Sequence, residues 1–201
     1  VSHPWRSLSE VWGLLRALHR HPEALLKSVV VWWRTLAMLP DVIELAPRHL
    51  HAHWATYPST AAMIVAGRTG IPFSFTAHAH DIFLEDHLLA EKMRKAAFGV
   101  TISNFNRQYL GERVSPLAHE RMRIVHCGVS PRDYAFQPEG RQPGLVMSVG
   151  RLDPIKGFCH LVEACRILVE RGVAFECVVI GEGPLRAELE SQIQAAGLAG
   201  H

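Results

Sequence analysis

The sequence Leu-Val-Met-Ser-Val-Gly-Arg-Leu-Asp-Pro-Ile-Lys-Gly at residues 145–157 decides how the rest of the chain is interpreted. Its apolar start with β-branched members is typical of a strand. A loop opens at Gly150, and a helical apolar pattern then continues to about Arg171. Gly150 lets the backbone approach a ligand closely, and the N-terminus of the following helix suits phosphate oxygens. Arg151 can donate two hydrogen bonds to a diphosphate, and Lys156 adds a point charge. A solvated turn with two ordinary surface cations explains the same residues, so both interpretations stay open at this point.

Strand and helix patterns alternate on both sides of this stretch, which is typical of a doubly wound parallel α/β fold. The predicted strands lie at 49–54, 70–76, 98–102, 123–126, 145–149 and 173–180. The predicted helices lie at 7–39 with a break at Pro22, at 58–66, 86–97 and from 103 onward, then up to 171 and at 185–196. Between Gly128 and Gly144 the apolar period lapses, which indicates a linker. We therefore predict one domain over 1–140, with its linker from about 128, and a second over 141–201.

Composition excludes several classes of protein. With 201 residues and 48% hydrophobic content the chain can bury a core, and a net charge of +2 without a basic block gives no nucleic-acid footprint. No apolar run is long enough for a membrane span, because Val29–Trp33 is cut by Arg34. The cysteines lack a CxxC spacing and predict reduced, buried thiols in a cytoplasmic protein; they are Cys127, Cys159, Cys165 and Cys177. Both ends of the chain look cut, so we expect a piece of a longer protein.

The first forty residues combine aromatic and basic side chains at roughly helical spacing. The tryptophans are Trp5, Trp12, Trp32 and Trp33, and the basic residues are Arg6, Arg16, Arg20, Lys27 and Arg34. Such a surface can rest on anionic lipid, with the rings at headgroup level and the cations toward phosphate. The other interpretation is that these tryptophans pack in the core.

Histidines are concentrated at two neighbouring predicted strands. His49, His51 and His53 share one face of the first, and His78, His80 and Asp81 follow the end of the second, where open α/β sheets bind their ligands. Three readings stay open: metal ligands, a hydrogen-bonding ligand role for His78 or Asp81, and structural histidines. No HExxH motif or cysteine pair supports the metal reading. It would correspond to a metal-dependent hydrolase built on His51, His53, His78 and His80.

The segment Gly181-Glu-Gly-Pro184 follows a predicted buried strand. Its glycines permit a tight turn, and Glu182 could accept hydrogen bonds from a base or a ribose. A turn that merely joins strand to helix explains the same residues equally well.

Taken together, the segments resemble retaining glycosyltransferase family 4, the group 1 glycosyltransferases with the GT-B architecture of two facing Rossmann-like domains. Four motifs in the family's order carry the resemblance. They are Thr76-Ala-His-Ala-His-Asp81, His126-Cys-Gly-Val129, Ser148-Val-Gly-Arg-Leu152 with Lys156-Gly157, and Val179-Ile-Gly-Glu-Gly-Pro-Leu-Arg186. The sequences of the histidine-containing segments are most similar to those of exopolysaccharide enzymes of the colanic acid type.

The resemblance implies transfer of a sugar, with retention of configuration, from a nucleotide diphosphate donor to a glycan or lipid-linked acceptor. The implied catalytic residues are His78 in the sugar pocket and Arg151 and Lys156 on the diphosphate. The implied substrate-binding residues are Gly150, Asp81, Gly181, Glu182, Gly183 and Pro184. It implies no metal or other cofactor. The charge pattern predicts no nucleic-acid partner, and the cysteines predict a cytoplasmic location. The aromatic and basic residues of the first forty positions predict peripheral contact with the inner face of the membrane. A non-catalytic nucleotide-sugar-binding module is a further alternative.

The chain departs from the family pattern at several positions. Ala79 replaces a glycine, His126-Cys127 replaces a Pro-Asn-like pair, and Ser130 stands where aspartate is common. The family's Gly-rich loop would precede Val1 and its paired glutamates would follow His201, so we expect the second domain to be only partly present. Weak or no transferase activity is therefore expected for the 201 residues alone.

Overall fold

The computed structural model describes residues 4–134 and 139–200. The chain divides into two compact units, Val1–Val129 and Ser130–His201, called unit 1 and unit 2 below. The boundary between the units lies inside the stretch from Gly128 to Gly144, where the apolar period lapses.

Unit 1 is built on a parallel sheet of four strands in the order β1-β2-β3-β4, with helices in every crossover. Strand ends are aligned, because His53 of β1 pairs with Thr76 of β2 and Ala77 of β2 pairs with Thr101 of β3. The strands are β1 (Leu50–His53), β2 (Phe73–Ala77), β3 (Phe98–Thr101) and β4 (Met122–Ile124). The helices are α1 (Pro4–Leu18), α2 (Pro22–Leu45), α3 (Tyr57–Thr69), α4 (Ala79–Phe83), α5 (Leu89–Lys95), α6 (Asn104–Arg113) and α7 (Ala118–Arg121).

The helices of unit 1 follow the sequence prediction with three differences. The second helix continues past Pro40, at the cost of one helical hydrogen bond, and ends where Ala46 adopts a left-handed conformation. The short helices α4 and α7 were not predicted, since segments of five and four residues show no helical period. Ser103 caps α6 as expected, because its hydroxyl accepts a hydrogen bond from Asn106 N–H at 3.1 Å.

The core of unit 1 surrounds β2, whose five residues are all buried. Phe73 and Phe75 lie in the hydrophobic cluster with apolar residues of α4, α5, α6 and β4. The alternate residues Ser74 and Thr76 hydrogen-bond instead to His51 of β1. This strand is therefore buried on both faces, as strands of parallel sheets usually are.

The tryptophans of α1 and α2 do not form a core. Trp5, Trp12 and Trp33 are 79%, 67% and 66% exposed, so the core-packing interpretation is wrong for these three. Trp32 is half-buried, and its indole N–H donates to the Glu10 carboxylate at 2.8 Å. Sequence spacing predicted the helices, but it did not tell which face of each helix is covered.

Unit 2 has a parallel pair of strands, β5 (Leu145–Val149) and β6 (Glu176–Ile180), with helices α8 (Phe158–Glu170) and α9 (Arg186–Ala195). Leu152, Phe158 and Leu189 form its small buried cluster. Every residue of the two strands is exposed or half-buried. Unit 2 therefore holds its strands together with far less buried apolar surface than unit 1.

The prediction of buried thiols was wrong for two of the four cysteines. Cys127, after β4, and Cys159, in the first turn of α8, are exposed, whereas Cys165 is buried and Cys177 is half-buried. Apolar neighbours in sequence do not place a residue inside, because the covered face of a helix or loop depends on what packs against it. All four thiols are free.

Within residues 4–134 and 139–200, no helix combines the length and the hydrophobicity that crossing a bilayer requires.

Candidate functional site

His78 lies where the sequence predicted it, immediately after the carboxyl end of β2. It is half-buried and directly precedes α4. Trp54, at the end of the neighbouring strand β1, lies beside it, with the two ring centroids 4.9 Å apart and tilted by 48°. The Trp54 N–H donates to the Thr76 carbonyl at 3.0 Å, which continues the sheet by one further hydrogen bond. An imidazole and an indole therefore share this edge of the sheet.

Asp81 holds the ends of β1 and β2 together. Its carboxylate is fully buried and accepts hydrogen bonds from the His78 N–H at 2.8 Å and from the Ala55 N–H. These contacts give Asp81 a positioning role toward the backbone of His78. The prediction that Asp81 also contacts substrate stays a prediction.

Lys92, on α5, is the buried cation of this region and was missed by the sequence analysis. Its side chain is 1% exposed, and its ammonium donates to the carbonyls of Ala55, Thr56 and His87 at 2.5, 2.7 and 3.1 Å. Burial lowers the pKa of Lys92 to about 7, and the charge of Asp81 acts in the opposite direction. A sequence signal did exist, since Lys92 shares the buried helical face of Leu89 at i+3.

Hydroxyl groups of β2 hydrogen-bond to His51 of β1 and to His49, the residue before that strand. Nδ1 of His51 lies 2.7 Å from the Ser74 hydroxyl and Nε2 lies 2.9 Å from the Thr76 hydroxyl, while His49 also reaches Ser74 at 2.7 Å. Burial lowers the pKa of His51, and the neighbouring His53 and His49 add to that shift. Both ring nitrogens of His51 are therefore engaged, which favours a neutral, structural imidazole.

The metal-dependent hydrolase finds no ligand set in the described part of the chain. No group of three histidine, cysteine or acidic side chains there could hold a metal ion. His80 points to a different partner, with its Nε2 3.5 Å from the Glu85 carboxylate. The histidine cluster of the first strand instead forms side-chain hydrogen bonds between β1 and β2.

In unit 2, the predicted diphosphate-binding cations lie in the loop that joins β5 to α8. Arg151 is largely exposed and forms an ion pair with Asp153 at 3.0 Å. Asp153 also caps the short 3₁₀ turn Pro154–Lys156 by accepting the Ile155 N–H at 3.1 Å. Lys156 is exposed, and its ammonium has no ion pair or hydrogen bond with another described residue. Gly157 follows at φ 67°, a conformation that favours glycine, and α8 then begins.

Two loops of unit 2 are joined along their backbones. Gly150 N–H donates to the Ile180 carbonyl at 3.0 Å, and Leu152 exchanges hydrogen bonds with Glu182 and Leu185 at 2.9 and 3.1 Å. A Cβ atom on Gly181 would lie 1.8 Å from the Gly150 carbonyl oxygen, and one on Gly183 would lie 2.3 Å from that of Leu152. The glycines are therefore needed for the close approach of the two loops.

Glu182 and Pro184 stand at the outer side of this joined loop. Both are exposed, and Glu182 pairs with Arg186 of α9 at 2.5 Å. Contacts of Glu182, Pro184 or the glycines with a base or ribose stay a prediction. Hydrogen bonds connect the segment 150–152 to the segment 180–185, so Gly150 and Arg151 lie near the predicted glycine turn.

Comparison with known proteins places these observations in a class. Residues 132–201 match the model of the family described as glycosyl transferases group 1. The resemblance to group 1 glycosyltransferases is thereby confirmed for the segment that contains Arg151, Lys156 and the joined glycine loops.

Two proteins with similar sequences are named as glycosyltransferases of amylovoran and of colanic acid biosynthesis. The amylovoran biosynthesis glycosyltransferase AmsK of Erwinia amylovora is 36% identical over 76 residues, which cover 37% of this chain and 19% of that protein. The putative colanic acid biosynthesis glycosyltransferase WcaL of Escherichia coli is 34% identical over 77 residues, with the same coverage of 37% and 19%. The matched segment thus spans about a fifth of the length of these relatives.

Solved structures of glycosyltransferases share the fold at low sequence identity. TarM matches with a TM-score of 0.61 at 14% identity, over 78% of this chain and 33% of that one. The lipopolysaccharide outer core galactosyltransferase WaaB matches with a TM-score of 0.59 at 16% identity, over 82% and 45%. The predicted fold class, α/β of the GT-B type with parallel sheets flanked by helices, is confirmed.

Proposed function

We propose that this chain is part of a retaining glycosyltransferase that moves a sugar from a nucleotide diphosphate donor to a glycan or lipid-linked acceptor in exopolysaccharide biosynthesis. The observation that carries the proposal is the β5–α8 loop, which presents Arg151 and Lys156 at the carboxyl end of a parallel strand and before a helix N-terminus. This loop lies in the segment that matches the group 1 family. The names of the two relatives that act in amylovoran and colanic acid biosynthesis support the exopolysaccharide context.

The chemistry follows from where charge develops. When the bond from the sugar to the diphosphate breaks, the leaving group gains negative charge, and fixed cations stabilise it. Lys156 needs no rearrangement to serve this role, because its ammonium has no partner among the described residues. Arg151 must leave Asp153, but an exposed ion pair of this kind contributes little stability. The reaction so described needs no metal ion or other cofactor.

His78 supplies the other half of the proposal. Its imidazole stands at the carboxyl end of β2, on a backbone that Asp81 fixes, and can hydrogen-bond a sugar hydroxyl. Unit 1 then takes the acceptor side and unit 2 the donor side of the reaction, as the resemblance implies.

Titration of the chain with UDP, GDP and ADP by calorimetry tests the donor side. For whichever diphosphate binds, Arg151→Ala should weaken binding by about 10- to 150-fold, the loss of a charged hydrogen bond of roughly 1.5–3 kcal/mol. Arg171→Ala is the matched control, because that exposed arginine caps the opposite end of α8. Unchanged affinity in Arg151→Ala, or binding of none of the three diphosphates, would overturn the proposal.

A turnover assay separates a transferase from a non-catalytic module. We expect the chain alone to bind diphosphate with weak or no sugar transfer, and a longer chain that continues beyond His201 to transfer sugar with retention. Binding without transfer in that longer chain would favour the module. Robust transfer by the 201 residues would contradict the expectation that the donor site is incomplete.

We further propose contact between α1 and the inner face of an anionic membrane, in the cytoplasm. Trp5, Leu8, Trp12 and Leu15 are exposed at intervals of three and four residues, and the exposed Arg16 lies one turn beyond Trp12. One apolar stripe beside a cation is complementary to anionic headgroups.

Vesicles with phosphatidylglycerol should bind the chain at low salt, and Trp12→Ala should weaken that binding. Phe105→Ala, on an exposed ring of α6, is the control. Equal binding to neutral vesicles, or none to anionic ones, would refute the contact.

A further inference from the structure

Trp54 is held in a backbone conformation that its side chain disfavours. Its φ is 79°, in the left-handed region where a bulky residue is a genuine outlier. Burial of the ring does not account for the strain, because the residue is 46% exposed. Strained backbone at an exposed aromatic residue points to a role for the ring beyond packing.

The strain persists because the neighbouring backbone is fixed from three directions. The Thr76 carbonyl accepts a hydrogen bond from the backbone N–H of Trp54, and the buried Asp81 carboxylate accepts one from the backbone N–H of Ala55. The buried Lys92 ammonium donates to the carbonyls of Ala55 and of the next residue. A carboxylate and an ammonium without solvent access thus fix the direction in which the indole leaves the chain.

That direction brings the indole to His78. With the ring centroids 4.9 Å apart and the planes tilted by 48°, the two rings lie side by side at the carboxyl ends of β1 and β2. A pyranose has one apolar C–H face and a rim of hydroxyls. An indole packs against such a face, while the imidazole can hydrogen-bond the rim.

We propose that Trp54 and His78 form an acceptor-sugar subsite, in which the indole stacks on a pyranose ring of the glycan while His78 bonds its hydroxyls. This inference rests on the proposed function and assigns a binding residue to its acceptor side. In this proposal the buried Asp81 and Lys92 are positioning residues, since they fix the backbone from which the indole projects.

Methyl α-D-glucopyranoside and methyl β-D-galactopyranoside are suitable probes, used at about 50 mM because a single sugar ring binds weakly. Saturation-transfer NMR on the 201-residue chain should show contact with the C–H protons of at least one probe. Trp54→Ala should abolish that signal and Trp54→Phe should retain part of it. Trp33→Ala, on the exposed ring of α2, should leave it unchanged. No signal from either probe, or a signal that survives Trp54→Ala, would overturn the subsite.

Two further measurements test the backbone strain at Trp54 and distinguish a sugar subsite from a nucleobase subsite. Trp54→Gly relieves the positive φ and should melt at a higher temperature than Trp54→Ala, although neither binds the probes. The reverse order would contradict the backbone strain from which the subsite is argued. Binding of the nucleoside diphosphate should be the same in wild type and Trp54→Ala. If Trp54→Ala weakens it instead, the indole stacks on a nucleobase and the acceptor subsite is wrong. Diphosphate binding that depends on Arg151, together with no sugar signal, would sink the subsite and leave the proposed function standing.

Discussion

The two units carry their candidate site residues in different ways. In unit 1, β2 is wholly buried and the residues around His78 are fixed by the buried side chains of Asp81 and Lys92. In unit 2, the strand residues Val149 and Ile180 are exposed, and backbone hydrogen bonds between glycine-containing loops hold the segment that bears Arg151. Parallel strands are normally covered on both faces. The comparison shows that similar strand–loop–helix segments can be stabilised either by buried polar side chains or by close backbone packing.

Loss of Lys92 should have the largest effect on stability and should act through unit 1. Lys92→Met leaves three buried or half-buried carbonyls without their donor and Asp81 without its nearby buried cation, so we expect a loss of roughly 3–5 kcal/mol. Urea unfolding followed by tryptophan fluorescence measures it. Lys95→Met is the control, because Lys95 is half-exposed and its ion pair with Glu91 contributes about 0.5 kcal/mol or less.

The pH dependence of the free energy of unfolding provides a second test of Lys92. Burial lowers the pKa of Lys92 to about 7 from 10.5, so between these values the folded protein has lost a proton that the unfolded chain still binds. Stability must then rise as pH rises through that window. Lys92→Met should remove this rise. A loss below about 1 kcal/mol in Lys92→Met, with an unchanged pH profile, would contradict the role given to the ammonium.

Substitution of the loop glycines tests unit 2 and should have the next largest effect. Gly183→Ala places a Cβ 2.3 Å from the Leu152 carbonyl oxygen, so the joined loops must separate. We expect a loss of about 2–3 kcal/mol and weaker diphosphate binding. Gly150→Ala serves as the stability control, because its Cβ would lie 3.4 Å from the Phe158 ring, an ordinary contact. Equal stability of the two variants would show that the loops are not held together as described.

The thiols give the smallest but most local test. Burial and a hydrogen bond with Cys177 raise the pKa of Cys165 to about 11, so at pH 8 only about one thiol in a thousand is ionised. Iodoacetamide should therefore modify Cys165 at least about 100-fold more slowly than the exposed Cys159 of the same helix. Mass spectrometry of the modified peptides measures both rates. Similar rates would mean that the small core of unit 2 opens frequently, which would sharpen its contrast with unit 1.

Much of the secondary structure could be predicted because its signals are local. The strand before Gly150 and the helix after Gly157 follow from an apolar run, a glycine break and a helical period. The cap at Ser103 follows from the chemistry of one side chain. The predicted cations, His78 and the loop glycines could be placed on loops at strand ends for the same reason.

The remaining features depend on partners that are distant in sequence. Asp81 joins Ala55 across 26 positions, and Lys92 reaches the same residue across 37. The residues near Lys92 in the sequence do not show that its ammonium donates to three carbonyls. The residues near Trp54 do not show that its backbone adopts a positive φ. The histidine cluster was open to a metal reading for the same reason, because the hydroxyls that occupy His51 lie on another strand.

The sequence by itself determined the α/β alternation, the resemblance to group 1 glycosyltransferases and the loop positions of the candidate donor residues. Periodicity, turn chemistry and motif order are properties of neighbouring residues, so these needed no coordinates. Only the tertiary structure decided that Lys92 is a buried donor, that Gly181 and Gly183 serve close backbone approach, and that Trp54 lies beside His78. Burial and hydrogen-bond satisfaction are set by chain segments that meet only on folding, and a linear pattern cannot contain them.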